Sequence, residues 1–332
     1  MMNTRSASSS LFHPIAIVGV AVLLCLLPLL DLTTIDLLIV FATYTALGVS
    51  WNWVGGFAGL LNLAHVAYYA IGAYACAIAV AILGLHPVFG MVVGAAVAAA
   101  LAFVISILSF KLKVSDLYYA LLTLTLAEAI AAIARGLENE YSLGGLYLPF
   151  RNEPSQLAFL DKSYYYYMLI GLAAVLMLIQ YAAQRSKWGL LVIGARDSER
   201  AASSLGVPVT RVLTSVSVVS AIPAALVGSI FALTSLYVTV DNVFTFDLLL
   251  SIIIAVTIGG IGTLWGPLVG ALTVTLVQEL IRRFLGSSSE IIGLTDIVYG
   301  VMLIAIIVLA PVGAVGLVRR LSGRASKAGA VE

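Results

Sequence analysis

Glu128 is the residue whose placement most demands an explanation. It stands inside an apolar run, at a depth where a charge costs at least ~3 kcal/mol on insertion scales, so its side chain must face protein or water. Two roles stay open for it: a pathway or gating group, or a structural carboxylate paired with Arg135 two turns on; a lone carboxylate gives thin support for proton coupling. Thr123 and Thr125 lie close by and can serve a path or satisfy backbone groups equally well. Asn62 and His65 are three apart and share a face if that stretch is helical, where they can bond a passing solute or tie two helices together.

Glycines cluster twice, at Gly55, Gly56 and Gly59, and again at Gly259, Gly260, Gly262 and Gly266. Glycine breaks a helix cheaply, and bare backbone at membrane depth is tolerated only under protein or beside water. Broken segments at matching places in two halves mark a path; close packing through small residues produces the same pattern. Cys25 and Cys76 sit in apolar runs, and with three histidines and no Cys/His cluster they read as small core residues. The tyrosines at 164–167 read as an interfacial anchor.

The elements that carry these groups must be membrane helices. Of 332 residues 62% are apolar and 10% charged, with a mean hydropathy of +1.11. Soluble domains carry about 25% charged residues, so lipid is the solvent for most of this chain. A spanning helix needs about 20 apolar residues. Such runs occur at 15–30, 36–54, 60–83, 88–110, 116–134, 164–183, 212–238, 247–261, 267–285 and 295–310. The expectation is an all-α polytopic membrane bundle of about ten transmembrane helices, with broken Gly-rich segments. Length and the absence of strict alternation exclude barrel strands.

Arg5 ahead of the first run suggests a signal peptide, but no small-x-small cleavage site follows, so the run reads as a retained span. With ten alternating spans and a cytoplasmic start, twelve of the 17 Lys and Arg fall inside, which places both termini in the cytoplasm. Arg282 and Arg283, ending the ninth span outside, are the weak point. The layout is then a cytoplasmic segment 1–14, a transmembrane unit 15–316 with an external loop 136–163 and a cytoplasmic loop 184–211, and a basic tail 317–332. A net charge of +1 gives no reason to expect a nucleic-acid partner.

The loop 184–211 is the most informative segment. Asp197 or Ser198 can cap a short helix through Glu199 to Leu205, with Gly206 as its stop. Ala201, Ala202 and Leu205 would fall on one side and the charges on the other. Such a helix is too short and polar to span; it either offers a knob to a groove on a partner or lies on the headgroups. No G-x-x-x-x-G-K-[ST] phosphate cradle occurs, and no room is left for a nucleotide-binding domain.

The segment Arg196-Asp197-Ser198-Glu199-Arg200-Ala201-Ala202, followed by Leu205-Gly206-Val207, resembles the coupling segment of ATP-binding-cassette importer permeases. In its details it is similar to the LivM-like permeases of branched-chain amino-acid importers. Residues 55–65 (Gly-Gly-Phe-Ala-Gly-Leu-Leu-Asn-Leu-Ala-His), 117–128, 259–267 and 311–317 resemble that family's segments in the same order. The external stretch Ser142-Leu143-Gly144-Gly145-Leu146 departs from the family's form, as do Asn62 and Ala64.

The resemblance implies a permease subunit in the bacterial inner membrane that carries small amino acids by alternating access. It implies as partners two ATPase subunits that bind the ATP, a second permease of similar fold and a periplasmic substrate-binding protein, with no cofactor in this chain. Arg196, Asp197, Ser198, Glu199, Ala202, Leu205 and Gly206 would then couple to the ATPase. Gly59, Asn62, His65, Thr123, Glu128, Gly260 and Gly262 are the candidates for the path. The other reading is an ion-coupled secondary transporter in which Glu128 titrates. A membrane enzyme would need converging nucleophiles, acids or metal ligands, and the sequence shows none.

Overall fold

The computed structural model describes residues 5–26, 28, 35–112, 116–140, 145–149, 157–285 and 300–301. The described chain is a helical bundle. Its helices are α1 (Arg5–Cys25), α2 (Ile35–Asn52), α3 (His65–Ala81), α4 (Pro87–Lys111), α5 (Asp116–Glu140), α6 (Ser163–Arg185), α7 (Lys187–Asp197), α8 (Glu199–Ser204), α9 (Val209–Ser235), α10 (Val240–Val243), α11 (Phe246–Gly259) and α12 (Gly266–Leu285). Two short strands, β1 (Leu146–Tyr147) and β2 (Tyr237–Val238), pair antiparallel.

Among the described residues six helices are long and apolar enough to cross a membrane, and His13–Cys25 and His65–Ala81 are shorter apolar helices. The chain is therefore a multi-pass membrane protein. The described helices of that length do not reach the expected count of about ten; 295–310 lies almost wholly outside the described residues, and the tail 317–332 wholly outside them.

α9 runs through the centre, buried along most of its 27 residues. α2, α3, α4, α6 and α7 pack around it. Small residues set the distances. A Cβ on Gly228 would stand 1.8 Å from the Tyr69 carbonyl oxygen, and one on Gly72 1.9 Å from that of Ala225. Hydrogen bonding reinforces this contact where the Ser229 hydroxyl donates across it to the Gly72 carbonyl (2.9 Å). α4 buries Gly90, Gly94, Ala98 and Ala102 at a spacing of four, so its backbone comes close to α3 while its bulky residues point away. Without a hydrophobic drive between helices in lipid, such close approach supplies the dispersion contact that holds them.

The bundle has two distinct ends. One carries α7, α8, the Gly-rich breaks and the start of α9; the other carries β1, β2, α10 and the start of α6. At the second end Lys162 pairs with Asp36 (2.7 Å), and Arg282 and Arg283 both pair with Glu279 at 2.6 Å. The two arginines thus end α12 with a counter-charge in reach.

Several boundaries differ from the sequence expectation. α1 already begins at Arg5, within the segment 1–14. α5 continues to Glu140, so the loop expected from 136 starts as helix. The loop 184–211 is mostly helical, because Ser186 caps a further helix, α7, by accepting from the Gly189 amide (3.1 Å). The largest difference is at the third span. An apolar run from residue 60 implied helix, but helix begins at His65.

The reason lies in local hydrogen bonding. After α2 the chain forms a π-turn, Trp53–Phe57, and Gly59 takes φ +71°, reversing the chain. Residues 58–64 then climb back along α2: the Leu60 amide donates to the Val54 carbonyl (3.0 Å) and Trp51 Nε1 to the Asn62 carbonyl (2.9 Å). The Asn62 side chain accepts from the Ala64 amide (2.9 Å). These bonds satisfy the irregular backbone that helix would otherwise satisfy.

Candidate functional site

Two breaks in the helical backbone meet at the α7 end. The first is the turn at 53–59. The second is 260–265, between α11 and α12, where Gly260 and Gly262 take φ +120° and +73°. Buried Asn52 joins them: its Oδ1 accepts from the Gly262 amide (2.8 Å) and its Nδ2 donates to the Thr263 carbonyl (3.0 Å). A Cβ on Gly56 would stand 2.6 Å from the Gly262 nitrogen, so only glycine lets the two backbones touch. Buried Gln180 of α6 adds a second tie, accepting from Trp53 Nε1 (3.1 Å) and donating to the Thr263 carbonyl (3.4 Å).

The segment expected to couple to a partner reaches this junction directly. Arg196, in the last turn of α7, donates from Nη1 to the Gly56 carbonyl (3.3 Å). Its aliphatic stem lies over Gly59, where a Cβ would come within 2.7 Å of Arg196 Cγ. Asp197 holds the other edge of the guanidinium (3.0 Å). α7 is itself anchored to the bundle, burying Gly189, Val192 and Ala195, with Trp188 Nε1 donating to Ser215 Oγ on α9 (2.8 Å).

α8 follows as a separate short helix. Ser198, not Asp197, is its cap, accepting from the Ala201 amide (3.2 Å). Gly206, at φ +84°, ends it, with the Val207 amide returning to the Ala202 carbonyl (3.0 Å). Ala201, Ala202 and Leu205, expected on one side of this helix, differ in burial. Only Ala202 is buried, whereas Ala201 points outward and Leu205 is 85% exposed. Leu205 follows the last turn of α8 as an exposed apolar residue, while the charged Glu199 and Arg200 stand at the start of that helix.

Asn62 and His65 are both fully buried, but they do not share a helix face, because Asn62 precedes α3. Asn62 Nδ2 donates to the Tyr119 hydroxyl (3.3 Å). The Ser50 hydroxyl gives its one proton to the Ser220 carbonyl (2.8 Å), so His65 Nε2 must donate to Ser50 Oγ (2.7 Å). That fixes the neutral tautomer and leaves Nδ1 a bare acceptor; the Tyr68 hydroxyl and Ser106 Oγ are likewise buried without a hydrogen-bond partner. Thr123 donates to the Ala120 carbonyl (2.8 Å) and accepts from the Leu63 amide (3.0 Å), tying the non-helical stretch to α5. Thr125 bonds its own helix at the Leu121 carbonyl (2.8 Å).

Glu128 stands apart from this cluster, exposed on α5. Arg135 is not its partner: that guanidinium turns to Asp241 (3.5 Å). Glu138, near the other end of α5, accepts from the Tyr74 hydroxyl (2.5 Å) and from the Val240 amide (3.2 Å). Of the four tyrosines at 164–167, Tyr164 is exposed and stacks on Phe159. Tyr165 and Tyr166 are buried and donate to the Leu157 and Leu24 carbonyls (3.1 and 3.0 Å). Among the described residues no group of three or more His, Cys, Asp or Glu is arranged to hold a metal ion.

The sequence singles out the glycines and Arg196 but not Asn52 and Gln180, which join the two breaks, nor Ser50 and Tyr119, which hold His65 and Asn62. The available signal was a polar amide late in each of two apolar spans, Asn52 and Gln180, since such groups cannot be left unpaired in lipid.

Comparison with known proteins gives one family. The family model for the permease component of branched-chain amino acid transport systems matches residues 33–307. The chain is 26% identical over 282 residues to the Escherichia coli K12 high-affinity branched-chain amino acid transport system permease protein LivM, covering 76% of this chain and 64% of that protein. The Salmonella typhimurium LT2 protein of the same description is 26% identical over 280 residues, with the same coverage. The match therefore spans less than two thirds of these relatives. No solved structure matches.

Proposed function

The chain belongs to the family of permease components of branched-chain amino acid transport systems, and from that premise we propose that it is the membrane-spanning subunit of an ATP-driven importer of small, largely apolar amino acids. Two ATPase subunits, a second permease subunit and a periplasmic substrate-binding protein complete the assembly in the bacterial inner membrane. ATP is bound by the ATPases. Both termini and the α7–α8 end then face the cytoplasm.

The observation that carries this reading is the position of Arg196. It joins an exposed knob, α8, to the place where two helical breaks meet. A partner that grips Leu205 and moves α8 pulls on α7, and Arg196 passes the pull to the Gly56 carbonyl. Asn52 then passes it to Gly262 and Thr263. Two backbone segments held by a few hydrogen bonds are a softer hinge than helices packed through glycine, so motion concentrates there. Alternating access follows if the ATPases close and open on α8.

The test is co-purification of the complete transporter. Leu205→Arg and Gly206→Trp both alter the exposed knob; a Cβ on Gly206 has open space around it but meets a backbone at φ +84° that strains any side chain, so Leu205→Arg is the variant that leaves the backbone undisturbed. The expected result is loss of the ATPases from the purified complex and loss of uptake. Full ATPase retention with normal uptake in both variants would refute a docking role for α8.

A further inference from the structure

α4 and α5 are the two most exposed spans of the bundle, each only 28% buried over its most apolar window, yet their exposed surfaces differ. α4 presents Val88, Phe89, Val92, Val97, Phe103 and Val104, an all-hydrocarbon surface suited to lipid. α5 exposes two stripes. One, Tyr118, Leu122, Ala129 and Ile133, resembles that of α4. The other consists of Leu121, Thr125, Glu128 and Ala132, at positions i, i+4, i+7 and i+11, all exposed and therefore on one face.

Glu128 lies twelve residues from each end of α5, or ~18 Å at 1.5 Å per residue. Its side chain is far too short to reach either interface from there. The carboxylate has no hydrogen bond or ion pair with any described residue, and Arg135, the nearest cation along the helix, is engaged with Asp241. Acyl chains against this stripe would leave a mid-depth carboxylate unsolvated, which membrane proteins avoid. Small and polar neighbours, Thr125 and Ala132, are the residues that let another helix approach.

We propose that the Leu121–Thr125–Glu128–Ala132 stripe faces the second permease subunit, and that Glu128 points into a polar, water-bearing path between the two subunits. The path then runs beside α5, not through the buried Asn62–His65 cluster, whose groups are fastened to one another. This rests on the proposed importer reading, since it needs a second permease chain.

A photo-reactive benzoyl-phenylalanine placed at Leu121, Thr125 or Ala132, and at Val97 or Phe103 for comparison, tests the assignment in membranes containing the whole transporter. The α5 positions are expected to give adducts identified by mass spectrometry as the second permease subunit, and the α4 positions adducts with lipid. Lipid adducts at α5, or adducts with another segment of this same chain such as 295–310, would overturn the proposal. As a second measurement, on a Cys25→Ala, Cys76→Ala background, a charged methanethiosulfonate should modify Thr125→Cys at least tenfold faster than Val97→Cys. Equal rates overturn the water-bearing path. The inference and the function fail separately: co-purifying ATPases with lipid-facing α5 retain the importer and sink the interface.

Discussion

Asn52→Leu offers the most direct test of whether the two helical breaks act as one unit. The substitution keeps the number and branching of the side-chain heavy atoms and removes both polar atoms. Two hydrogen bonds disappear, from the Gly262 amide (2.8 Å) and to the Thr263 carbonyl (3.0 Å), at a net ~1 kcal/mol each. The Thr263 carbonyl keeps the Gln180 donor at 3.4 Å, and Gly262 is only partly buried, so the penalty for orphaned groups stays at its low end. The expected cost is ~2 kcal/mol, a melting temperature lower by about 4 °C at ~2 °C per kcal/mol for a chain of this size. The same 2 kcal/mol shifts the balance between joined and separated breaks by ~30-fold. Uptake per ATP hydrolysed should therefore fall about tenfold or more while ATP hydrolysis continues. Asn242→Leu is the control, because it loses comparable bonds to the Thr239 amide and Tyr237 carbonyl at the other end. It should lower stability and leave coupling intact. If Asn52→Leu melts within 1 °C of the parent, on a scale of ~2 °C per kcal/mol, and keeps the parental transport ratio, the breaks are not mechanically joined through this residue.

Other outcomes follow from the same geometry. Gly228→Val drives a side chain into the Tyr69 carbonyl and should destabilise by ~3 kcal/mol, whereas Gly19→Ala, with open space around it, should melt like the parent. Glu128→Leu should insert normally and lower uptake at least tenfold, and Glu128→Gln should retain more; equal uptake by parent and Glu128→Leu argues against a carboxylate on the path. The backbone amide and side chain of Ser163 hold the Asp161 carboxyl below its ordinary range. Its contribution is thus present above the unfolded value of ~3.9 and lost as pH falls through the lower folded value. Asp161→Asn keeps an acceptor for the Ser163 amide, so thermal melts should show a smaller acid-side loss of stability than in the parent; identical acid profiles would contradict the capping role.

Much of the architecture was legible because lipid demands long apolar runs, and the runs at 88–110, 164–183 and 247–261 lie within two residues of α4, α6 and α11 at both ends. The cap at Ser198 and the stop at Gly206 were legible for a similar reason: capping chemistry is local. What escaped was set by distant partners. Helix at 60–64 is what the apolar run implied, and the chain is non-helical there because Trp51, Thr123 and Asn62 supply its hydrogen bonds. α7 was missed because its apolar face, Val192 and Ala195, is buried by elements distant in the chain, α9 and the Trp53–Phe57 turn, as well as by α6. Pairing Arg135 with Glu128 followed from spacing along one helix. The actual partner, Asp241, lies 106 residues away, beyond any reading of local pattern.

The Asn52 contact also bears on how the protein is made. Its partners lie 210 residues later in the chain, and at 5–20 residues per second a ribosome needs roughly 10–40 s to supply them. Throughout that interval α2 would enter the bilayer with an unpaired amide near one end. During synthesis, then, the nascent helix must either stay near the aqueous mouth of the insertion machinery or borrow a temporary partner. Final seating of α2 waits until α11 and α12 arrive.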